Sequence, residues 1–263
     1  MTGLQADTVL LFSGLDPSGA AGVVADIETI NQFGLTSLPI ITTLTVQNSQ
    51  EIKVVETTSQ TLIEAQFQAL TEDIAFQTVK IGLLGSLGQI KTIIKLLNTK
   101  PELSIILDPV ITSGNDEALL DEDVINVMRN ELVPLATILT PNLTELTRLA
   151  PGLDEQSAVS SLDCPWILVT TADNSEVDIE HRLYDQSELV GQFTYKKLPG
   201  KYHGSGCTLS SAISALIASD VPAKVACKRA LDYTYQTLLS AKKVGKMQYH
   251  PNRTLPKQYD VYQ

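Results

Sequence analysis

The chain has 263 residues and a formal net charge of −11, with 43% hydrophobic and 19% charged residues. This length and composition exclude a disordered chain and predict a globular protein with a large buried core. The acidic balance argues against nucleic acid or anionic membranes as main partners, because both are bound by clustered lysines and arginines.

Membrane and secreted classes are also disfavoured. No stretch approaches the roughly 20 apolar residues of a membrane span, and residues 1–7 lack the basic region of a signal peptide. The three cysteines, Cys164, Cys207 and Cys227, are widely spaced, which predicts neither a disulfide framework nor a zinc site. We therefore expect a cytoplasmic protein.

Short apolar runs alternate with longer amphipathic segments along the chain. Strands are predicted at 8–13, 38–47, 78–84, 104–107, 136–140 and 166–171, with a hairpin arm at 183–184 and 192–196. Helices are predicted at 20–33, 61–71, 87–97, 121–131, 206–217 and 222–243. This alternation predicts a single α/β domain over residues 1–245, built on a mostly parallel sheet with helices on both faces. Residues 246–263 are polar and weakly patterned, so we expect a C-terminal tail that lies on the surface or is partly disordered.

Several predicted strand ends carry polar or glycine-rich segments. They comprise residues 13–19, 108–110, 140–145 and 203–208. Because ligands of open α/β sheets bind at the carboxyl ends of the strands, we expect these segments to meet at one rim.

The segment Gly204-Ser205-Gly206 opens a predicted helix. Glycines leave the backbone open to a ligand, and the first N–H groups of a helix favour an anion, so the loop fits a phosphoryl group. Cys207 would lie at the helix start, where a thiolate is favoured. An ordinary helix start with a small buried cysteine explains the same residues.

Carboxylates at two strand ends suggest a metal site. Asn142 and Glu145 follow one strand, and Asp108 ends another. Magnesium takes one or two carboxylates beside substrate phosphates, so these residues are candidates to hold it. A helix cap explains Asn142 and Glu145 equally well.

Other rim residues could contact a small substrate. Gly14 lies in the first rim loop, and Asp26 lies early in the helix that follows. Gln47 ends a strand and offers a donor and an acceptor to a heteroaromatic ring. His203 borders the Gly-Ser-Gly loop and could help to bind phosphate.

The chain resembles bacterial hydroxymethylpyrimidine/phosphomethylpyrimidine kinases, which belong to the ribokinase-like superfamily. The resemblance runs from about residue 9 to residue 239. Six motifs carry it in order, namely 14–22 with Ala25-Asp26, Val46-Gln47-Asn48, 80–84, Leu107-Asp108-Pro109-Val110, 140–145 and 203–208.

The resemblance implies an MgATP-dependent kinase of thiamine biosynthesis. Such enzymes phosphorylate the hydroxymethyl group of 4-amino-5-hydroxymethyl-2-methylpyrimidine and then convert the monophosphate to the diphosphate. It further implies a ribokinase-like three-layer α/β/α sandwich and a homodimer. Residues matching Gly14, Asp26 and Gln47 hold the pyrimidine in this family, with Leu83 beside the ring.

The resemblance also assigns the phosphoryl and metal groups. Residues 204–206 match the anion hole, with Ser205 where threonine is more usual, and Cys207 matches the proposed base. Asn142 and Glu145 match an N-x-x-E element that serves magnesium and phosphate, and Asp108 matches a polar position near the metal.

One departure concerns the nucleotide. Many members carry Lys-Gly-Gly-His where this chain has Thr170-Thr171-Ala172-Asp173. Thr170 and His203 are our candidates near the nucleotide, and Lys197, Lys201 or His203 would supply the missing charge. Two alternatives stay open: a pyridoxal-type vitamin kinase, and a pyrimidine-binding protein of the same fold without kinase activity.

Overall fold

The computed structural model describes residues 7–112 and 119–255, apart from the side chains of residues 172–174. Within these ranges, nine strands form one sheet in the order β3-β2-β1-β4-β5-β6-β7-β8-β9. The strands are β1 (Thr8–Leu15), β2 (Thr36–Gln47), β3 (Ile52–Thr57), β4 (Thr78–Ile81), β5 (Ser104–Leu107), β6 (Ile138–Leu139), β7 (Trp166–Asn174), β8 (Asp178–Asp185) and β9 (Glu188–Lys196). The six central strands, β2, β1, β4, β5, β6 and β7 in sheet order, are parallel to one another. Strand β3 at one edge is antiparallel to β2, and at the other edge β8 is antiparallel to β7 and to β9.

Helices cover both faces of the sheet. They are α1 (Gly22–Gln32), α2 (Gln60–Asp73), α3 (Leu87–Leu97), α4 (Glu122–Val127), α5 (Leu143–Leu149), α6 (Glu155–Ser160), α7 (Ser205–Ala218) and α8 (Ala223–Leu239). Strand β1 shows the two-sided burial of a central parallel strand, since Leu10 and Phe12 join the core under α2 to α6, and Val9 and Leu11 join the core under α1, α7 and α8. The predicted α/β class, with a mostly parallel sheet between helical layers, is confirmed.

Several elements differ from the prediction in their bounds, and α5 and α6 are not among the predicted helices. The sequence predicts no strand at 52–57, because β3 is an exposed edge strand without an apolar face of its own. The helix predicted at 121–131 is α4 followed by a π-helical turn over 128–132. The predicted hairpin arm is the full pair β8 and β9.

The expectation of a surface tail is wrong for most of residues 248–255, whereas Lys246 and Met247 are exposed as expected. Arg253 is 2% exposed and Leu255 is 9% exposed. The N–H of Asn252 donates to the carbonyl of Thr237 in α8 at 3.0 Å. The segment is buried through polar partners rather than an apolar face, which is why hydropathy does not reveal it. The rest of the predicted tail, residues 256–263, lies outside the described residues, and the domain division at 245 stays a prediction.

Among the described residues, no helix combines the length and the apolar character that crossing a bilayer requires.

Candidate active site

The predicted rim segments line one cavity of about 330 Å³ at the carboxyl ends of the strands. Candidate residues in its lining are Gly14, Gln47, Leu83, Asp108, Asn142, Glu145, Thr170, His203, Gly204, Ser205, Gly206 and Cys207. The topology explains this, because β1, β5 and β6 are parallel and their following loops leave the sheet at the same edge. Asp26, Lys197 and Lys201 do not line this cavity.

The Gly204 turn has a conformation that glycine favours. Gly204 has φ +87° and precedes α7, and a Cβ at this position would overlap the carbonyl oxygen of Ala20. Its carbonyl accepts hydrogen bonds from Thr208, at 3.0 Å from the N–H and 2.7 Å from Oγ1. A Cβ on Gly206 would lie 3.9 Å from Asp108 Oδ2, so the first turn of α7 opens toward the Asp108 carboxylate.

A buried ion pair lies beneath the cavity. Lys80 Nζ donates to both carboxylate oxygens of Asp26, at 3.0 and 3.1 Å, and both side chains are fully buried. Ser211 Oγ donates to Asp26 Oδ1 at 2.8 Å. Burial alone would lower the pKa of Lys80, but the Asp26 carboxylate raises it above its usual value. Asp26 therefore holds Lys80 in place rather than facing the cavity.

Cys207 departs from the expected thiolate. Burial raises the pKa of its thiol to about 12; Lys80 opposes this rise, and the Asp108 carboxylate adds to it. The N–H of Gly22 donates to the sulfur and lowers the pKa, but does not offset the burial. Burial thus opposes the thiolate that the position at a helix start would favour.

Two carboxylates share the cavity wall. Burial raises the pKa of Asp108, which Lys80 partly opposes, while Ser210 Oγ donates to its Oδ2 at 3.1 Å. Burial and the Asp108 charge together raise the pKa of Glu145 to about 8. Their mutual repulsion favours a cation between them, and two carboxylates beside a phosphate site fit the ligand chemistry of Mg²⁺.

Asn142 and Glu145 also form a capping box at the start of α5. The N–H of Glu145 donates to Asn142 Oδ1 at 2.8 Å, and the N–H of Asn142 donates to Glu145 Oε2 at 3.0 Å. The alternative reading as a helix cap is therefore confirmed. It is compatible with a ligand role, since both residues line the cavity.

His203 links the first rim loop to Gln47. Its Nε2 lies 3.2 Å from Asp16 Oδ2 and 3.2 Å from Gln47 Nε2. Burial would raise the pKa of Asp16, but the hydrogen bonds from His203 and Ser18 bring it well below its usual range. The ionised Asp16 thus holds His203 at the cavity edge, next to the amide predicted to contact the ring.

A second cavity, of about 480 Å³, lies beside the first. The two share lining residues at the N-terminus of α7, namely Thr170, Thr171, Tyr202, Ser205, Gly206 and Leu209. Lys196, Lys197 and Lys201 line the second cavity. Lys196 pairs with Asp178 at 2.8 Å, and Lys197 donates to the carbonyl of Ser175 at 3.2 Å. Of the three residues predicted to replace the missing lysine charge, Lys197 and Lys201 line this cavity and His203 lines the first.

Thr171 carries backbone strain at the junction of the two cavities. Its φ of +54° is unusual for a β-branched residue. We expect Thr171→Gly to raise the free energy of unfolding by about 0.5–1 kcal/mol, because relief of the strain exceeds the entropy cost of glycine. Urea unfolding measures this. Thr147 is exposed within α5, and Thr147→Gly should lower the free energy of unfolding. A change of the same sign in both variants would contradict backbone strain at Thr171.

His181 makes stability depend on pH. Its Nδ1 accepts the N–H of Thr171 at 3.2 Å, and burial lowers its pKa to about 4. Because the unfolded residue titrates near 6.5, the unfolded chain binds more protons between these values, and stability is lost as pH falls from about 6.5 to 4. We expect His181 to contribute up to about 3 kcal/mol of this loss. Urea unfolding at several pH values should show a smaller loss in His181→Asn; an unchanged pH dependence would contradict the prediction.

Four side chains of the site are not among the predicted candidates. Lys80, Asp16, Ser210 and Arg253 all act through partners far away in sequence. Lys80 had one available signal, a charged residue inside the apolar strand β4. Arg253 had none, because it lies in the weakly patterned C-terminal segment.

Comparisons with known proteins bear on this geometry. The family model described as phosphomethylpyrimidine kinase matches residues 16–252. The chain belongs to this family. The hydroxymethylpyrimidine/phosphomethylpyrimidine kinase of Aquifex aeolicus is 30% identical over 249 residues, which are 90% of this chain and 96% of that protein. The predicted family is confirmed.

The match with longer relatives is partial. A putative hydroxymethylpyrimidine/phosphomethylpyrimidine kinase 2 of Schizosaccharomyces pombe is 28% identical over 86% of this chain, and this chain spans about half, 46%, of that protein. In fold, the chain is similar to the pyridoxal kinase of Staphylococcus aureus solved with AMP-PCP. The TM-score is 0.85 at 21% identity, over 96% of this chain and 95% of that one. This likeness confirms the predicted ribokinase-like fold.

Proposed function

We propose that the chain is an MgATP-dependent kinase that phosphorylates 4-amino-5-hydroxymethyl-2-methylpyrimidine and then its monophosphate to the diphosphate, as a step of thiamine biosynthesis. Relatives that this chain matches over most of its length carry the name of this activity. The proposed location of the enzyme is the cytoplasm.

One observation carries the proposal: a small cavity and a larger one meet at the N-terminus of α7. The small cavity, of about 330 Å³, suits a single substituted ring, and the larger one, of about 480 Å³, suits a nucleotide. The shared residues Ser205 and Gly206 lie where a phosphoryl group would pass between them. Backbone N–H groups at this point stabilise the charge of such a group.

The residues then divide into two sets. Gly14, Gln47 and Leu83 hold the pyrimidine in the small cavity. Thr170 and His203 approach the nucleotide phosphates, and Lys197 and Lys201 supply charge in the larger cavity; we prefer Lys201, because Lys197 already donates to a carbonyl. Asp26 acts through Lys80 rather than by direct contact.

Asp108, Glu145 and Asn142 would hold the magnesium ion, directly or through water. The ion would neutralise phosphate charge and favour the ionised form of both carboxylates. Burial and the Asp108 charge raise the pKa of Glu145, and a bound cation would oppose that rise.

In the transfer, the substrate hydroxyl oxygen forms a bond to the γ-phosphorus while the bond from that phosphorus to the β,γ-bridging oxygen breaks. ADP leaves, and the hydroxyl proton passes to Cys207. Lys80 is the buried cation that favours the thiolate needed for this step. The N–H groups of 204–206 hold the transferred group, and most of the rate comes from this positioning.

The test is ADP release from MgATP with the hydroxymethylpyrimidine as acceptor and pyridoxal in parallel. Two ADP per pyrimidine consumed supports the two-step kinase. Faster release with pyridoxal would favour the vitamin B6 alternative. Pyrimidine binding without ADP release would favour the inactive binding protein, and would overturn the proposal.

We also propose a homodimer formed through the outer face of β2 and β3. Leu44, Val46 and Val54 share this face and are 46%, 55% and 47% exposed, while Thr45 and Gln47 face the cavity. A second copy of the chain would bury these exposed apolar side chains at the edge of the sheet. We expect sedimentation to give a dimer for the wild type, a monomer for Val46→Lys and a dimer for Val244→Lys, at an exposed site elsewhere. A monomeric wild type would contradict this.

A further inference from the structure

Arg253 is a buried arginine in the C-terminal segment, and its side chain is 1% exposed. The family match ends at residue 252, so this residue lies outside it. A charged side chain is rarely buried without a full set of partners, because desolvation of an ion costs several kcal/mol. Its contacts therefore indicate what it is held for.

The guanidinium joins two parts of the site. Nη2 donates to the carbonyl of Ala20, and Nη1 lies 3.4 Å from the carbonyl of Gly19. On the other side, Nε donates to Thr208 Oγ1 at 2.8 Å, in the first turn of α7. Nη1 also pairs with Glu28 at 3.1 Å.

Thr208 connects Arg253 to the phosphoryl loop. Its Oγ1 accepts from Arg253 and donates to the carbonyl of Gly204 at 2.7 Å. A Cβ on Gly204 would lie 2.7 Å from Nη2 of Arg253, so the guanidinium packs directly against this turn. The first rim loop and the phosphoryl loop are thus fixed to one rigid, planar group.

We propose that Arg253 is a positioning residue of the phosphoryl transfer, which fixes the distance between the acceptor-binding loop at 14–22 and the phosphoryl-binding loop at 204–206. The proposal rests on the proposed function. Asp16 holds the first loop to His203, and Arg253 adds a second connection that reaches Gly19, Ala20 and the Gly204 turn. A misplacement of about 1 Å between reacting groups costs about 100-fold in rate.

The test uses Arg253→Lys and Thr208→Val. Lysine keeps the charge, but its single ammonium group cannot donate to both loops as the planar guanidinium does. Valine keeps the shape of threonine without its hydroxyl. We expect each to lower kcat about 100-fold, with KM for MgATP changed less than threefold. Thr208→Ser should restore kcat because it restores the hydroxyl. Arg148→Lys, at a half-buried ion pair on α5, should match the wild type.

A double-mutant cycle separates positioning from general destabilisation. If both residues act through one connection, Arg253→Lys/Thr208→Val loses no more kcat than either single variant. Multiplied losses, or an unchanged kcat in folded Arg253→Lys, would overturn the proposal. Thermal unfolding verifies that each variant is folded.

Hydrogen exchange gives a readout that does not depend on activity. In Arg253→Lys, amides at 19–22 and 204–208 should exchange faster, while those of β4 and β5 should not change. This result would support the connection even if the wild type releases no ADP, an outcome that would refute the proposed function alone. Unchanged exchange in both loops would overturn the role of Arg253.

Discussion

Replacement of Cys207 by alanine is expected to lower kcat for pyrimidine phosphorylation by about 100- to 1,000-fold, while KM for the pyrimidine changes little. The residue lines the cavity and carries the sulfur that would take the hydroxyl proton. Alanine leaves the binding groups in place, so binding should survive. Steady-state kinetics with isothermal titration of the pyrimidine separates the two effects, and full turnover in Cys207→Ala would remove the residue from the base role.

The pH profile follows from the same residue. Because burial raises the pKa of the thiol to about 12, the fraction of thiolate grows with pH. We expect kcat of the wild type to rise between pH 7 and 9. Cys207→Asp introduces a carboxylate that ionises at lower pH, and should flatten the rise. Parallel profiles in the two proteins would contradict proton transfer to Cys207.

Lys80→Met is expected to lower the free energy of unfolding by about 3–5 kcal/mol. The lysine is fully buried and donates to both carboxylate oxygens of Asp26. Its charge also opposes the rise that burial causes in the pKa of Asp108. Methionine fills the volume but leaves two buried carboxylates without a cation. Urea unfolding at pH 7 measures the loss.

A surface pair provides the control. Lys95 pairs with Glu64 at 2.6 Å but is 72% exposed. Lys95→Met should change the free energy of unfolding by less than about 1 kcal/mol, because exposed ion pairs contribute little. Equal losses in the two variants would contradict a special role for the buried pair.

Local signals explain which parts of the site could be predicted. The Gly204 turn and the Asn142 cap have their partners within four residues, so spacing alone reveals them. The parallel sheet follows from alternating strands and helices, and it brings distant strand ends to one edge.

The missed features depend on tertiary contacts. Asp26 was predicted to face the substrate, but its carboxylate forms an ion pair with Lys80, 54 residues away in sequence. No pattern in either strand or helix indicates this pairing. The raised pKa of Cys207 likewise depends on burial, whereas the sequence reveals only its place at a helix start.

The contact between Arg253 and Gly19 spans 234 residues of chain. At about 5–20 residues per second, a ribosome needs roughly 12–47 s to travel from one to the other. During that interval the central strands can already pair, but the first rim loop lacks its guanidinium partner. The proposed role of Arg253 therefore makes the phosphoryl site one of the last parts of the fold to be completed during synthesis.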